Sequence, residues 1–288
     1  MKTTNEKVKS PAKVNLCLYI NFKREDGYHD ISSIMIPVNI YDELSFRVTE
    51  NPVIEVSADS ADIPSGKDNL VYKAAELIQR TYSVKAGITI RINKQIPSGA
   101  GLGGGSSDAA TAFITLNRLW DLNLSKNELK GLGKTIGADI PFFIEESPSL
   151  IGGIGDIVEP VKICSEIWLV IINPNLHVST KYVYEHLNLA LTKKDKDINN
   201  FLRLLASEKV SPKWTEHMHN DLEAVTFERH PELKRIKSYL AENGAVASLM
   251  AGSGSSVFGV FSSREEGEKV YRSAQGRYNK VYLAKALT

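Results

Sequence analysis

Alternating apolar and polar positions predict strands in the first third of the chain. The segment AKVNLCLYI places four aliphatic residues on one face of a strand and Lys13 and Asn15 on the other. Further strands are predicted over ISSIMIPVNIYDELSFRV, residues 52–58 and residues 88–93. The helical pattern NLVYKAAELIQRTY separates the last two strands. Strands and helices are therefore mixed along this part of the chain.

The pattern changes beyond residue 150. SLIGGIGDIVEPV predicts a short hairpin, WLVIINP predicts a fully apolar strand, and the polar stretch TKKDKDINN (192–200) predicts a solvated loop. Pro231 begins a predicted helix, and another helix and a strand follow near the end of the chain. We expect two domains, residues 1–160 and 161–288, because 288 residues are enough for two substantial cores.

A glycine-rich loop, PSGAGLGGGSS (Pro97–Ser107), runs directly into the helical pattern DAATAFITLNRLW. Five glycines within seven residues allow positive φ angles and leave backbone N–H groups uncovered. The start of a helix adds further N–H groups and the positive end of the helix dipole. This stretch predicts an anion site, with phosphate as the first candidate ligand.

The glycine pattern does not match the two most common phosphate motifs. No lysine follows the glycines as a Walker A loop requires, which argues against a P-loop NTPase. Gly99, Gly101 and Gly104 satisfy Gly-x-Gly-x-x-Gly, but the region about twenty residues later is helical, which argues against a dinucleotide fold. A glycine-rich turn without a ligand stays open as an alternative.

Composition and charge narrow the class of partner. A net charge of +1 favours small molecules over nucleic acid or a membrane surface. Cys17 and Cys164 both fall in apolar, strand-like runs, which predicts buried thiols rather than a disulfide framework. No apolar run approaches eighteen residues, and MKTTNEKVKS lacks the apolar run of a signal peptide, so we expect a cytoplasmic protein.

Two charged residues fall in apolar surroundings. Asp139 lies between Ile136 and the run IPFFI, and Lys13 lies in an apolar strand, so each needs a partner if it is buried. We expect the two to face each other, although a structural ion pair, or an aspartate that binds backbone N–H groups, fits the pattern as well.

Three further features have more than one interpretation. Tyr28 and His29 follow an Asp26-Gly27 turn and are typical of exposed loop residues. The second small-residue loop, AGSGSS (251–256), caps the same phosphate site or merely connects two strands. His217 and His219 have no third ligand nearby in sequence, so we expect surface residues and no protein metal site.

The glycine-rich loop resembles the phosphate loop of the GHMP kinases, whose central motif is Pro-x-x-x-Gly-Leu-Gly-Ser/Gly-Ser-Ser. SPAKVNLCLYI, DGYH, NLVYKAA, GADIPFF, HNDLE and AGSGSSVF extend the resemblance, in the expected order, from residue 10 to about 260. It implies an α+β fold of two domains, one of the ribosomal S5 domain 2 type and one ferredoxin-like.

The resemblance also implies an activity, which is ATP-dependent phosphorylation, with Mg²⁺, of a small alcohol. PAKVNL and DGYH are similar to the branch of the family that acts on the 2-hydroxyl of 4-diphosphocytidyl-2-C-methyl-D-erythritol in non-mevalonate isoprenoid biosynthesis. The alternatives are another small-alcohol kinase, for mevalonate, phosphomevalonate or homoserine, and a nucleotide-binding protein without catalysis. The expected oligomeric state is monomer or homodimer.

By this resemblance, Asp139 is the general base and Lys13 is its charged partner. The ATP site would comprise Asn69, Lys73, Pro97, Ser98, Gly99, Ala100, Gly101, Leu102, Gly103, Gly104, Gly105, Ser106 and Ser107. The diphosphocytidyl pocket would comprise Asn15, Tyr28, His29, Thr180 and Tyr184, with Tyr28 stacked on the base and His29 bound to its edge. Met35, Ala251 and Asp156 depart from the family pattern.

Overall fold

A computed structural model describes residues 5–60, 63–64, 66–192 and 197–288. The first part of the chain contains strands β1 (Asn5–Lys23), β2 (His29–Thr49) and β3 (Ile54–Ala58), helix α1 (Leu70–Thr81), strand β4 (Gly87–Asn93), and helices α2 (Gly104–Leu119), α3 (Lys126–Lys134) and α4 (Ile140–Glu145). Strand β1 begins at Asn5, earlier than the apolar alternation, and its first five residues are exposed or only partly covered.

The second part contains β5 (Ser149–Gly152), β6 (Ile157–Pro160), β7 (Trp168–Asn173), α5 (Thr180–Glu185), α6 (Ile198–Ser207), α7 (Glu223–Arg229), α8 (Pro231–Glu242), β8 (Ala247–Met250), β9 (Val257–Phe261), α9 (Arg264–Gln275) and β10 (Lys280–Lys285). Short 3₁₀ turns lie at Gly66–Asp68, Leu189–Leu191 and Pro212–Glu216. Of the predicted loop at 192–200, residues 193–196 lie outside the described residues. Its last residues are not a loop: Asp197 caps α6, which begins at Ile198.

Contacts divide the chain into two compact units. Unit 1 comprises residues 5–12, 40–98 and 103–146, and unit 2 comprises residues 13–39, 99–102 and 147–288. Strands β1 and β2, which pair with each other, contribute residues to both units. The division into domains at residue 160 stays a prediction.

In unit 1, β4 lies between β3 and the later half of β2. It is parallel to β3 (Ile54 opposite Ile88) and antiparallel to β2 (Leu44 opposite Ile92). Helices α1 and α2 pack together, and α1 buries a stripe at helical spacing. The stripe consists of Val71, Ala74, Ala75 and Ile78. The sequence pattern predicted this helix because its apolar residues recur on one face.

In unit 2, the early half of β2 pairs with β5, and β5 forms the predicted hairpin with β6. A separate antiparallel sheet has the order β10-β7-β9-β8. The apolar strand β7 is buried along nearly its whole length, with α8 and α9 packed against this sheet. Cys17 is buried as expected, but Cys164 is exposed because it lies in the loop between β6 and β7 rather than in a strand.

Among the described residues, no helix is long and apolar enough to cross a bilayer.

Candidate active site

The second half of the glycine-rich loop forms the start of α2 in unit 1. Gly103 occupies the N-cap position at φ 73°, and because glycine has no side chain it provides no capping hydrogen bond. The N–H groups of the first helical turn have no acceptor within the helix. This arrangement fits a phosphate, because uncapped N–H groups and the helix dipole favour an anion at the same point.

The first half of the loop, Gly99–Leu102, belongs to unit 2 and packs against the second small-residue loop. Ser256 donates a backbone hydrogen bond to the Ala100 oxygen (3.1 Å), and Lys13 donates one to the Leu102 oxygen (3.0 Å). Gly101 has φ 77°, and a Cβ there would overlap the carbonyl oxygen of Ala251. The segment AGSGSS is therefore in contact with the glycine-rich loop. Ala251 lacks the side-chain hydroxyl of the family pattern, but its contact with Gly101 is made by the backbone carbonyl.

Lys13 lies at the centre of a buried polar chain in unit 2. Its side chain is almost covered (4% exposed), and Nζ donates to Asn15 Oδ1 at 2.8 Å. Asn15 Nδ2 donates to Ser33 Oγ at 2.8 Å, and Ser33 donates onward to the Cys17 carbonyl. Lys13 Nζ would also lie 3.3 Å from a Cβ at Gly252. The ammonium thus lies beside the backbone of the second small-residue loop. The period-two pattern of β1 predicted only that Lys13 and Asn15 share a face, and their hydrogen bond agrees with it.

Asp139 belongs to unit 1 and occupies the N-cap position of α4. It is half-buried and makes no side-chain capping bond to that helix. Its carboxylate is therefore not committed to capping α4, unlike Asp197 at the start of α6. The predicted pairing of Asp139 with Lys13 stays a prediction.

Asn69 and Lys73 lie at the start of α1 in unit 1. Asn69 is buried and acts as the N-cap: its Oδ1 accepts from Val71 N at 2.8 Å, and its Nδ2 donates to the Pro64 oxygen at 2.9 Å. Lys73 is exposed one turn later. Both functions of the Asn69 amide are occupied by backbone partners, so this residue holds the shape of its segment.

The structure brings two residues of the predicted diphosphocytidyl pocket together in unit 2. The rings of His29 and Tyr184 pack at 5.4 Å between centroids, with 35° between their planes. Burial lowers the pKa of His29 below its ordinary value, and the charge of Lys23 acts in the same direction. The imidazole is therefore neutral at pH 7, with one donor and one acceptor nitrogen.

Tyr28 differs from its neighbour, because its ring is 62% exposed whereas His29 is only 8% exposed. The turn before it is ordered by Asp26, whose carboxylate accepts from Tyr28 N at 3.1 Å. The expectation of an exposed aromatic thus holds for Tyr28, and the expectation of a solvated imidazole is wrong for His29. The difference arises because β2 begins at His29 and buries that side chain.

Several polar contacts within the two units were not predicted. Thr180 Oγ1 lies 2.7 Å from Ser253 Oγ of the second small-residue loop. A Cβ at Gly99 would lie 2.8 Å from Nδ1 of the exposed His177, so glycine admits this imidazole. In unit 1, Lys94 forms ion pairs with Asp42 and Asp108. In the sequence, the signal for the cluster of Lys94, Asp42 and Asp108 was that each of these charged residues lies close to apolar residues.

The described residues contain no group of three or more His, Cys, Asp or Glu side chains arranged to hold a metal ion. His217 and His219 are half-buried rather than fully exposed, because each has a partner. His219 Nε2 lies 2.8 Å from Asp221 Oδ1, and His217 Nε2 lies 3.3 Å from Asn200 Nδ2.

Comparison with known proteins supports the fold and the family. The sequence model of the GHMP kinases N terminal domain matches residues 69–146, and that of the GHMP kinases C terminal domain matches residues 190–280. A crystal structure of 4-(cytidine 5'-diphospho)-2C-methyl-D-erythritol kinase superposes with a TM-score of 0.83 at 30% identity, covering 98% of this chain and 100% of that one. Homoserine kinase from Cytophaga hutchinsonii has the same fold (TM-score 0.75, 17% identity, 99% and 96% covered). The predicted two-domain GHMP kinase fold is confirmed.

Curated relatives match nearly the whole chain. The 4-diphosphocytidyl-2-C-methyl-D-erythritol kinase of Syntrophus aciditrophicus is 42% identical over 91% of this chain and 92% of its own length. The enzyme of the same name from Clostridioides difficile is 39% identical over 96% and 94%. Together with the fold, these matches show that the chain belongs to the 4-diphosphocytidyl-2-C-methyl-D-erythritol kinase family of the GHMP kinases.

Proposed function

We propose that this protein catalyses ATP-dependent phosphorylation of the 2-hydroxyl of 4-diphosphocytidyl-2-C-methyl-D-erythritol, a step of non-mevalonate isoprenoid precursor biosynthesis. The observation that carries the proposal is the neutral, buried His29 packed against Tyr184, next to the exposed ring of Tyr28. A neutral imidazole offers a donor and an acceptor, as the edge of cytosine does. An exposed aromatic ring offers a face on which a base can stack.

The phosphates of ATP are proposed to bind the glycine-rich loop. Backbone N–H groups at the start of α2 point at an anion without competition from a capping side chain. Asn69 and Lys73 lie at the start of α1, which packs against α2 in the same unit. Lys73 is exposed and can supply a positive charge to the nucleotide, while Asn69 keeps its segment in place.

Asp139 is proposed as the general base and Lys13 as the positive charge that supports it. Bound ATP supplies the transferred phosphoryl group, and Mg²⁺ neutralises part of the phosphate charge. The Asp139 carboxylate accepts the proton of the 2-hydroxyl. The hydroxyl oxygen forms the new bond to the γ-phosphorus as the bond between that phosphorus and the oxygen of the leaving ADP breaks. Lys13 stabilises the negative charge that develops. We propose that Mg²⁺ arrives bound to the nucleotide phosphates.

Asn15 and Thr180 complete the proposed substrate contacts. Asn15 orients the Lys13 ammonium through the 2.8 Å hydrogen bond, which makes it a positioning residue as well. Thr180 is exposed at the start of α5, and its hydroxyl is held by Ser253 at 2.7 Å. A hydroxyl held in this way is preorganised to bind a polar group of the substrate.

Substrate identity is tested by release of ADP from ATP and Mg²⁺ with each of three alcohols. We expect release with 4-diphosphocytidyl-2-C-methyl-D-erythritol and none above background with mevalonate or homoserine, and we expect CDP to compete with the alcohol. Release with mevalonate or homoserine instead would overturn the substrate assignment while leaving a GHMP kinase. Silence with all three, in a protein that binds ATP, would favour a nucleotide-binding role.

The general base is tested by Asp139→Asn. This variant should lose about 10²- to 10⁴-fold in kcat, because the amide cannot accept the hydroxyl proton. The nucleotide Kd, measured by calorimetry, should stay within about twofold. Asp197→Asn serves as the control, since it changes another helix N-cap in the same way. An Asp139→Asn enzyme with the wild-type kcat would remove Asp139 from the mechanism.

A further inference from the structure

A buried ionic cluster lies next to the glycine-rich loop in unit 1. Lys94 follows β4, Asp42 lies on β2 and Asp108 lies in α2. Lys94 Nζ donates to Asp42 Oδ2 and, at 2.8 Å, to Asp108 Oδ2. The three side chains are 7%, 0% and 4% exposed, respectively. Water therefore contributes little to the solvation of these charges.

The cluster is connected to the backbone on both sides of the loop. Asp42 Oδ1 accepts from Gln95 N (2.6 Å) and Ile96 N (2.8 Å), the two residues before Pro97. Asp108 is the residue directly after Ser107, the last residue of the loop. Lys94 thus joins, through two carboxylates, the segment that enters the loop and the helix that leaves it.

The ammonium also lies close to the loop itself. A Cβ at Gly104 would lie 3.2 Å from Lys94 Nζ and 3.0 Å from the Ile96 side chain. Gly104 is the first residue of α2, where the uncapped N–H groups begin. On the other side, Ser10 of β1 donates to Ser107 Oγ at 2.7 Å. The start of α2 is therefore held from two strands and from the segment before the loop.

The charges of the cluster do not balance. Burial raises the pKa of Asp108 to about 7, and the charge of Asp42 adds to the shift, while Lys94 opposes it. Among the described residues Asp108 Oδ1 has no hydrogen-bond partner, and the Ser10 hydroxyl, which donates to Ser107 Oγ, lies close enough to oppose the shift as well. Buried ion pairs add little net stability compared with apolar residues of the same volume. A contribution to stability therefore does not explain the cluster well.

We propose that Lys94 is a positioning residue for the nucleotide phosphates. By holding Asp42 and Asp108 together, its ammonium fixes both ends of the loop Pro97–Ser107, so that the N–H groups at the start of α2 are preorganised for phosphate. Lys94 does not itself bind phosphate, because both carboxylates engage its buried ammonium. The inference rests on the proposed binding of ATP to this loop.

The primary test compares Lys94→Met with Lys130→Met. Lys130 pairs with Glu145 at 2.8 Å in the same unit, so the control removes an ion pair away from the loop. We expect Lys94→Met to weaken binding of ADP at least tenfold by calorimetry and to increase hydrogen exchange in residues 97–107. Lys130→Met should change neither. In turnover assays the KM for ATP should rise at least tenfold and the KM for the alcohol should stay within about twofold.

Lys94→Met leaves two buried carboxylates without an ammonium and can prevent folding. The double variant K94M/D108N is the second probe, because it neutralises one carboxylate while keeping its shape. If a folded variant of either kind binds ADP with the wild-type Kd and shows wild-type exchange in residues 97–107, the proposal is wrong. If Lys94→Met shows the expected loss of ADP affinity but the wild-type protein phosphorylates none of the three alcohols, this inference stands and the proposed function is wrong.

Discussion

The base of the glycine-rich loop and the His29 region differ in their chemistry. At the base of the loop, Asp42, Lys94 and Asp108 are buried, charged and connected to backbone N–H groups. In the His29 region of unit 2, a buried imidazole packs against the ring of Tyr184, and Tyr28, the preceding residue, is exposed. The first arrangement fixes backbone, and the second presents side chains.

This difference corresponds to the two proposed ligands. The phosphate groups of ATP are the same whichever alcohol a kinase phosphorylates. Backbone N–H groups held in a fixed loop can bind them without any particular side chain. A cytosine base differs from other groups by its edge and its face, so side chains must distinguish it. Changes in the loop should therefore abolish nucleotide use, and changes in the aromatic group should alter substrate preference.

Between these two regions, the larger effect on activity is expected from Gly101→Ala in the loop. Its φ of 77° and the Ala251 carbonyl oxygen leave no room for a Cβ, so the loop must move. We expect a loss of about 100-fold in kcat/KM for ATP, because small displacements of positioning groups have effects of this size. Gly131→Ala is the matched control: Gly131 lies in α3 with open space around it, and alanine there should raise the melting temperature slightly. Equal activity of the two variants would contradict the role of the loop.

An intermediate effect is expected from Tyr28→Ala. Loss of the stacking face should raise the KM for the diphosphocytidyl substrate about tenfold or more, since stacking of a base contributes about 1–3 kcal/mol. The KM for ATP should not change, and Tyr28→Phe should stay close to the wild type because it keeps the ring. Steady-state kinetics with each substrate varied in turn separates these outcomes. A parallel rise of both KM values would place Tyr28 outside a dedicated base site.

An effect of a different kind, on stability rather than on activity, is expected from Asp108→Asn. In the folded chain the pKa of Asp108 is raised from 3.8 to about 7. Below pH 4 the carboxyl is protonated in both the folded and the unfolded chain. Between pH 4 and 7 only the unfolded chain ionises it readily, so the free energy of unfolding falls as the pH rises. The slope is at most about 1.4 kcal/mol per pH unit. The asparagine variant lacks this titration. Urea unfolding at several pH values should show the free energy of unfolding of the variant rising relative to the wild type between pH 4 and 7 and then levelling off. If the two proteins have parallel curves of stability against pH, the pKa of Asp108 is not raised.

Local patterns in the sequence predicted much of the fold. The amphipathic α1 and the fully apolar β7 both appear as expected. Each depends on interactions within a few residues or on a period that the sequence displays directly. The prediction of a buried Cys164 was wrong, because the strand near it begins only at Trp168 and leaves Cys164 in an exposed loop.

The site was only partly accessible from sequence. The alternation of β1 placed Lys13 and Asn15 on one face, and the structure joins them at 2.8 Å. Residues distant in sequence could not be assigned to each other from spacing: His29 packs on Tyr184, and Thr180 bonds to Ser253. The roles of Lys13 and Asp139 stay predictions.

The sequence by itself determined the glycine-rich loop, the helix that follows it and the family, because backbone freedom and local periodicity are properties of short segments. Only the tertiary structure decided which side chains are buried together. It lowered the pKa of His29 by burial, and it placed Lys94 between Asp42, which binds the segment before the loop, and Asp108, which follows the loop. The pKa of a side chain and the partner of a charge depend on burial and on neighbours from distant segments, which come together only when the chain folds.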